Sequence, residues 1–189
     1  MQNFLKFNEV VEKIQMVKWH NGLDLKEFYA NAKSKGFENN VSKKTLIDCF
    51  SNEEKWQVWI AYYEQEAIGS VAAHSFDIMG KNAYRILART CVLSNKLPYK
   101  SLRTRQQILH HQNVVGRLYI PIMLNWVPKN SKVFITTNEN AMGSQRMVHR
   151  IWAPIMEESG QLEKVDVIQY RGCQQVVWEL KKEKYFTFL

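Results

Sequence analysis

The stretch that decides the fold runs from Ala83 to Gly160. It opens with AYRILARTCVL (83–93), which is rich in apolar and β-forming residues, and continues into a basic loop, NKLPYKSLRTR (95–105). A helix-length segment follows, QQILHHQNVVGRLYIPIMLNWV (106–127), and after it a second strand, KVFITTN (132–138). A polar turn then leads into a second helix that ends at Gly160. Strand, basic loop, helix, strand and helix in this order predict a βαβ unit.

The segments on either side extend this unit into a larger mixed sheet. Outside 83–160 we expect helices at 24–37 and 41–55 and strands at 56–64, 68–79, 162–170 and 174–182. Residues 1–22 fit a strand or a short helix, and we expect an amphipathic opening element there. The strand at 83–93 completes an antiparallel meander with the two strands before it. The predicted class is therefore α/β, with a mostly antiparallel central sheet and helices on both faces.

Composition narrows the classes of protein that remain. The chain has 189 residues, 46% of them hydrophobic, and no Pro- or Gly-rich linker, which predicts one domain over residues 1–189. No window is apolar enough for a membrane span, and the first residues lack a secretory core, so we expect a cytoplasmic protein without a membrane partner. The formal charge of +8 favours an anionic partner, either a phosphorylated cofactor or nucleic acid, although a merely soluble basic surface has the same charge.

Cysteine and histidine spacing gives no sign of a metal site. The three cysteines, Cys49, Cys91 and Cys173, are far apart and form no CxxC pair. His110 and His111 are adjacent, so on a helix their side chains would diverge too far to share one metal ion. We predict no metal site and no disulfide framework.

Three local stretches, together with the element order, carry a family resemblance. The hairpin YEQEAIGSV (63–71), the strand end LARTCVL (87–93) and the strand-to-helix junction TTNENA (136–141) are similar to those of the GNAT acyltransferase superfamily. The resemblance implies that the backbone of Cys91, Val92 and Leu93 receives the pantetheine arm of acetyl-CoA or another acyl-CoA. It also implies that Asn140, at the start of the later helix, takes part in binding this cofactor.

The chain departs from the family at the loop that follows this strand. Family members carry a glycine-rich turn there, whose backbone N–H groups bind the cofactor pyrophosphate at a helix N-terminus. Here residues 98–105 read PYKSLRTR, without glycine. We expect Arg103, Thr104 and Arg105 to bind the phosphates instead, because guanidinium groups match phosphate oxygens in a bidentate way.

Acyl transfer needs a proton donor for the leaving thiolate. In many family members a Tyr on the later helix supplies that proton, but the corresponding positions here hold no Tyr, and His149 is the nearest titratable side chain. Glu139 and Tyr99 are the other catalytic candidates. His149 also has a simpler interpretation, because a lone histidine on a helix beside Arg146 and Arg150 is more often a surface residue. Cys91 has the chemistry of a nucleophile, but on an interior strand a cysteine is more often a small packed side chain.

Two functions from different classes remain open. The first is an acyltransferase that moves a small acyl group onto an amine. Within it, a base of DNA is a credible acceptor, because Arg89-Thr90-Cys91-Val92-Leu93 is similar to a run in the phage Mom-type DNA-modifying enzymes, a divergent branch of the same fold. The alternative is a non-catalytic module that keeps the fold and grips nucleic acid or a protein in its basic cleft. The sequence does not indicate the oligomeric state.

Overall fold

The computed structural model of this chain describes residues 2–37, 41–51, 55–98, 104–140, 144–170 and 172–189. The strands are β1 Ile14–Lys18, β2 Trp56–Tyr63, β3 Glu66–Ser75, β4 Ala83–Val92, β5 Lys132–Asn138, β6 Leu162–Tyr170 and β7 Cys173–Leu180. They form one sheet in the order β1-β2-β3-β4-β5-β7-β6. All neighbouring strands are antiparallel except β4 and β5, which are parallel. The predicted mixed, mostly antiparallel sheet is confirmed.

Helices cover both faces of this sheet. They are α1 Gln2–Glu12, α2 Lys26–Ser34, α3 Lys43–Phe50, α4 Arg105–Leu109, α5 Ile120–Trp126, α6 Ser144–Met147, α7 Ala153–Glu158 and α8 Lys182–Thr187. Two π-helical turns, Val115–Tyr119 and Val148–Trp152, lead directly into α5 and α7. Within the described ranges, no helix combines the length and the apolar character needed to cross a membrane.

Local sequence chemistry explains several of these boundaries. Ser42 caps α3, because its hydroxyl accepts a hydrogen bond from the Thr45 N–H at 3.1 Å. The β2–β3 hairpin turns at Glu64 and Gln65, which both have positive φ, as a two-residue turn of this kind requires. The run from α6 to α7 ends before Gly160, whose φ of +76° suits a glycine that follows a helix.

Two apolar layers pack against the sheet. On one face α5, α7 and α8 bury Met123, Met156 and Tyr185 against the strands. On the other face α2 and α3 bury Phe28 and Leu46. Because side chains alternate along a strand, each central strand contributes to both layers. Burying both faces explains why the central strands are so apolar in sequence.

The chain contains elements that the sequence pattern did not resolve. The first residues form both α1 and β1, and β1 pairs with β2 from Ile14 opposite Tyr63 to Lys18 opposite Trp59. The short helix α8 was not predicted. Its six residues are too few to show a helical period, and it is held by the buried Tyr185, whose hydroxyl donates to the Gly116 carbonyl.

The prediction of one continuous helix over 106–127 was wrong. The helix stops after Leu109, and His111 has a φ of +52°, which no α-helix accommodates. The imidazole of His111 is fully buried against Tyr185, with ring centroids 4.1 Å apart. Gly116 packs against it, because a Cβ on Gly116 would lie 2.9 Å from the His111 Cβ. Tertiary packing of one histidine therefore overrides the helical pattern.

The glycine in the predicted hairpin motif has a packing role. The Tyr119 hydroxyl donates to the Cys91 carbonyl at 3.1 Å, directly over Gly69. A Cβ on Gly69 would lie 2.0 Å from that hydroxyl oxygen and 2.5 Å from the Cys91 carbonyl oxygen. Only glycine leaves room there for Tyr119 to reach β4.

We expect Gly69→Ala to destabilise the protein by about 3 kcal/mol, because the new methyl group overlaps both Tyr119 and the β4 backbone. For a chain of this size, such a change lowers the melting temperature by roughly 6–12 °C. Thermal unfolding followed by circular dichroism measures this. Gly22→Ala is the matched control, because its Cβ would meet only the flexible His20 ring, at 3.2 Å. Equal melting temperatures for the two variants would contradict the packing role.

Burial lowers the pKa of His111 to about 4, and the nearby Arg117 charge contributes to the shift. Because the unfolded chain takes up the proton first, stability is lost as the pH falls from the ordinary histidine value of 6.5 towards 4. Between pH 7 and pH 5 this loss is roughly 2 kcal/mol. His111→Asn, which tolerates positive φ, should remove that part of the pH dependence in urea unfolding. The exposed neighbour His110 provides the control, since His110→Asn should keep the pH dependence of the unfolding free energy. The same pH dependence in both variants would count against the assignment.

Candidate functional site

A cavity of about 670 Å³ lies where β4 and β5 separate. The two strands pair only from Ala83 opposite Lys132 to Arg85 opposite Phe134, although β4 continues to Val92. The cavity is lined from both faces of the sheet, by Lys35 and Phe37 beyond α2, by Gln107 and Ile108 of α4, and by Val148, Ile151 and Trp152 before α7. It therefore passes through the gap between the two strands.

The bend of β4 produces this gap. Leu87 and Arg89 have φ values of +59° and +53°, and the pairing of β4 with β3 shifts register around both residues. Each bulge is held by a side chain, because Thr90 Oγ1 donates to the Leu87 carbonyl at 2.7 Å and Ser70 Oγ donates to the Arg89 carbonyl at 2.9 Å. Bulges bend a strand and increase its twist, so β4 turns away from β5.

The backbone groups at the predicted cofactor positions of β4 point in two directions, towards β3 and towards the gap. The Leu93 N–H donates to the Ile68 carbonyl at 2.7 Å, and the Cys91 carbonyl accepts from Tyr119. Because backbone groups alternate in direction along an antiparallel strand, the groups of Val92 point the other way, towards the gap. Further along, the Leu87 N–H meets only the sulfur of Met123 at 3.3 Å, and sulfur is a weak acceptor. Val92 is therefore the position whose backbone groups face the gap, whereas the Leu87 N–H points to the buried Met123.

The Cys91 thiol lies in a buried layer of the sheet. It is 1% exposed, and burial raises its pKa to about 12. A thiol with this pKa is protonated at neutral pH, whereas nucleophilic cysteines need the thiolate. The geometry favours the packing interpretation of this side chain.

Two of the predicted phosphate-binding and catalytic residues, Arg103 and Tyr99, lie outside the described residues. Thr104 caps α4, since its hydroxyl accepts from the Gln107 N–H at 3.3 Å and the Gln107 side chain accepts from the Thr104 N–H at 3.1 Å. Arg105 forms an ion pair with Glu158 at 2.6 Å. The Arg105 and Glu158 side chains are both largely exposed, so this ion pair is weak and can open to bind a phosphate.

His149 is connected to the cavity through another side chain. The Trp178 Nε1–H donates to Thr137 Oγ1 at 2.8 Å, and Thr137 Oγ1 lies 2.8 Å from His149 Nδ1. A hydroxyl has two lone pairs and one hydrogen, so Thr137 Oγ1 accepts from the indole and can either donate to a neutral Nδ1 or accept from a protonated one. Thr137 lines the cavity and is almost fully buried. The three side chains form one hydrogen-bonded line from the core to the helix surface.

The other predicted site residues at the end of β5, Glu139 and Asn140, lie outside the lining of the cavity. Glu139 and Asn140 are exposed just beyond β5, and the Asn140 N–H donates to the Asn138 side chain at 2.8 Å. Asn138, and neither of the two predicted residues, lines the cavity. No group of three or more His, Cys, Asp or Glu side chains in the described part of the chain is arranged to hold a metal ion.

Several lining residues were missed from sequence. Arg85 and Arg89 carried a usable signal, because two charged residues interrupt an otherwise apolar interior strand. Leu87 and Thr137 carried no such signal in the sequence. Their importance arises from a backbone bulge and from contacts between β5, β7 and the helix after β5, which no local pattern shows.

Comparison with known proteins finds relatives in structure only. No protein-family model matches the chain, and no curated protein matches its sequence. A solved GNAT-family protein from Desulfovibrio desulfuricans aligns over 88% of this chain and 98% of its own, with 13% identity and a TM-score of 0.54. The aminoglycoside N-acetyltransferase AAC(6')-Ib11 aligns over 91% and 98%, with 11% identity and a TM-score of 0.55.

A GNAT-family acetyltransferase from Elizabethkingia anophelis, solved with acetyl-CoA bound, also aligns. It covers 89% of this chain and 98% of its own, with 13% identity and a TM-score of 0.50. These likenesses extend over nearly all of the aligned proteins at very low identity. They confirm the GNAT-like fold predicted from the element order, and they show the fold alone.

Proposed function

We propose that this protein is an N-acyltransferase that takes an acyl group from acyl-CoA and delivers it to an amine. The observation that carries the proposal is the cavity that passes through the sheet where β4 and β5 part. In a sheet of this fold, such a gap gives a donor and an acceptor access to one point from opposite faces. Since the acceptor and the donor must meet at that point, the geometry suits a two-substrate transfer.

The chain offers a place for the pantetheine arm of an acyl-CoA donor. Bound there, acyl-CoA would supply a thioester carbonyl carbon that an amine can attack. The gap-facing backbone of Val92 and the apolar wall formed by Ile108, Val115 and Trp152 suit the pantetheine arm.

Thr137 and His149 provide a route for a proton. The Thr137 hydroxyl stands at the cavity wall with His149 Nδ1 2.8 Å behind it. A proton held on His149 passes to Thr137 Oγ1 as the hydroxyl hydrogen is given up to the cavity. The Trp178 indole keeps the hydroxyl in place. His149 thereby takes the proton-donor role without touching the cavity itself.

The same region contains the strongest argument for the rival function. The capping box at Thr104 occupies two backbone N–H groups that a phosphate would otherwise meet, and Lys96 is paired with Glu66 at 2.5 Å. A binding module that has lost its donor site would have its N–H groups and its lysine occupied by the protein in the same way. It would keep the fold and grip its partner with the remaining basic surface.

The finer choice of acceptor is a base amine in DNA. The charge of +8 and the exposed Arg146 and Arg150 on the helix beside the cavity support an anionic polymer as a partner. Mass spectrometry of nucleosides from DNA of expressing cells should then show an acylated base. Unmodified nucleosides would exclude this acceptor and leave acyl transfer to other amines.

Titration calorimetry with acetyl-CoA tests the donor site. We expect the wild-type protein to bind it, and Ser94→Trp, at an exposed position of the cavity wall, to abolish binding by obstructing the opening. Ser51→Trp places the same bulk at an exposed site after α3 and should bind normally. Absence of binding by the wild type at millimolar acetyl-CoA would sink the enzyme proposal and favour the binding module.

Thr137→Val should lower kcat by roughly 100-fold, because it removes the hydroxyl that connects the cavity with His149. Thr137→Ser keeps the hydroxyl and should stay within about 3-fold of the wild type. Release of CoA thiol, measured with the best acceptor from a panel of amines, gives both rates. Because Trp178 loses its acceptor in the valine variant, the melting temperature is recorded in parallel. A folded Thr137→Val protein with wild-type kcat would rule out the relay.

A further inference from the structure

The cavity continues past Thr137 towards the closed end of the gap, where β4 and β5 are still paired. Leu87 and Ile135 line it there, just beyond the last paired residues of the two strands. Val115 and Trp152 line it from the helical segments on the face covered by α5 and α7. Ile135 belongs to the apolar layer on that face, and the other three side chains pack against this layer. The lining beyond Thr137 on this face is therefore apolar.

We infer that this apolar end of the cavity binds the acyl chain of the donor, and that the chain is aliphatic and longer than acetyl. The inference rests on the proposed function, since it names the class of acyl-CoA for the same cavity. Ile135 precedes Thr137 by two residues along β5, which is roughly 7 Å of strand. An acetyl group extends only one carbon–carbon bond beyond its carbonyl, about 1.5 Å. A thioester held beside Thr137 therefore reaches Ile135 only with a longer chain.

The charged lining residues are placed away from the apolar end. The Arg85 guanidinium carbon lies 5.2 Å from the centre of the Tyr170 ring, and Tyr170 packs in the apolar cluster on the opposite face of the sheet. Lys35 follows α2, which packs on that opposite face as well. Arg89 lies beyond Leu87, towards the open end of the gap. The apolar end is thus reached from the face that also provides the pantetheine wall, which favours the acyl donor over the acceptor as its occupant.

The chemistry of the apolar end selects against polar acyl groups. Leu87, Ile135 and Val115 have aliphatic side chains that form no hydrogen bonds, and the Leu87 N–H is directed to the sulfur of the buried Met123. A carboxylate, such as that of a succinyl group, would lose its hydration against these side chains without compensation. Each methylene group that is fully buried there should instead strengthen binding about 4-fold.

Titration calorimetry of the wild-type protein with a series of CoA compounds tests this inference. CoA, acetyl-CoA, hexanoyl-CoA and succinyl-CoA share the nucleotide and the pantetheine arm and differ only in what the sulfur carries. Hexanoyl has about four more methylene groups than acetyl, and their partial burial is enough for hexanoyl-CoA to bind roughly 10-fold tighter than acetyl-CoA or more. We expect succinyl-CoA to bind no tighter than acetyl-CoA.

A matched pair of variants tests the location of the chain. Leu87→Trp fills the apolar end with an indole and should reduce the ratio of the hexanoyl-CoA and acetyl-CoA affinities to about 2-fold or less. Leu23 is likewise partly buried but does not line the cavity, so Leu23→Trp should keep the wild-type ratio. The melting temperature of each variant is recorded, and the wild-type series decides the inference where Leu87→Trp does not fold.

Four outcomes would overturn the inference. Binding of acetyl-CoA with equal or weaker binding of hexanoyl-CoA would do so and leave the proposed function standing. A hexanoyl-CoA preference that persists in a folded Leu87→Trp protein would place the chain elsewhere. Failure of every CoA compound to bind at millimolar concentration would remove both the inference and the proposed function. Tighter binding of hexylamine than of ethylamine to the CoA-saturated protein, without a hexanoyl-CoA preference, would assign the apolar end to the acceptor.

Discussion

The separation of β4 from β5 is the constraint on which the candidate site depends. Three residue pairs join the two parallel strands, and beyond Arg85 and Phe134 they diverge. In an ordinary βαβ unit the pairing would continue and the space would be filled by hydrogen-bonded backbone. Here two bulges, at Leu87 and Arg89, bend β4 away. Their carbonyls are bonded by Thr90 and Ser70, so the bend costs few unsatisfied groups.

The packing around the gap keeps it open. Tyr119 reaches over Gly69 to the Cys91 carbonyl, and this contact fixes the helix before α5 against the end of β4. His111, buried beside Gly116, breaks the helical run and sets where that helix begins. The absence of a side chain at Gly69 and the positive φ of His111 thus position the helix that forms this wall of the cavity. Buried, well-packed side chains of this kind transmit small changes into the site, because the interior has little free space.

The chemistry of the cavity divides between its two sides. Towards α7, the Thr137 hydroxyl contacts His149 and Trp178, and this is the proposed route for a proton. Towards Tyr170, Arg85 contributes positive charge that is oriented by an aromatic ring. The proposed proton route on β5 and the Arg85 guanidinium on β4 therefore belong to different strands, which separate where the sheet opens.

The sequence by itself determined the order of the elements from α2 to β7, the antiparallel meander and the β4–β5 crossover. These follow from local periodicity and turn residues, such as Ser42 at a cap and Gly160 after a helix. The tertiary structure alone decided the break at His111, the strand β1 and the helix α8, because each depends on a partner distant in sequence. It also decided which residues meet at the site. Thr137 and His149 are twelve positions apart and Trp178 is far along the chain, and only folding brings a hydroxyl, an imidazole and an indole into one line.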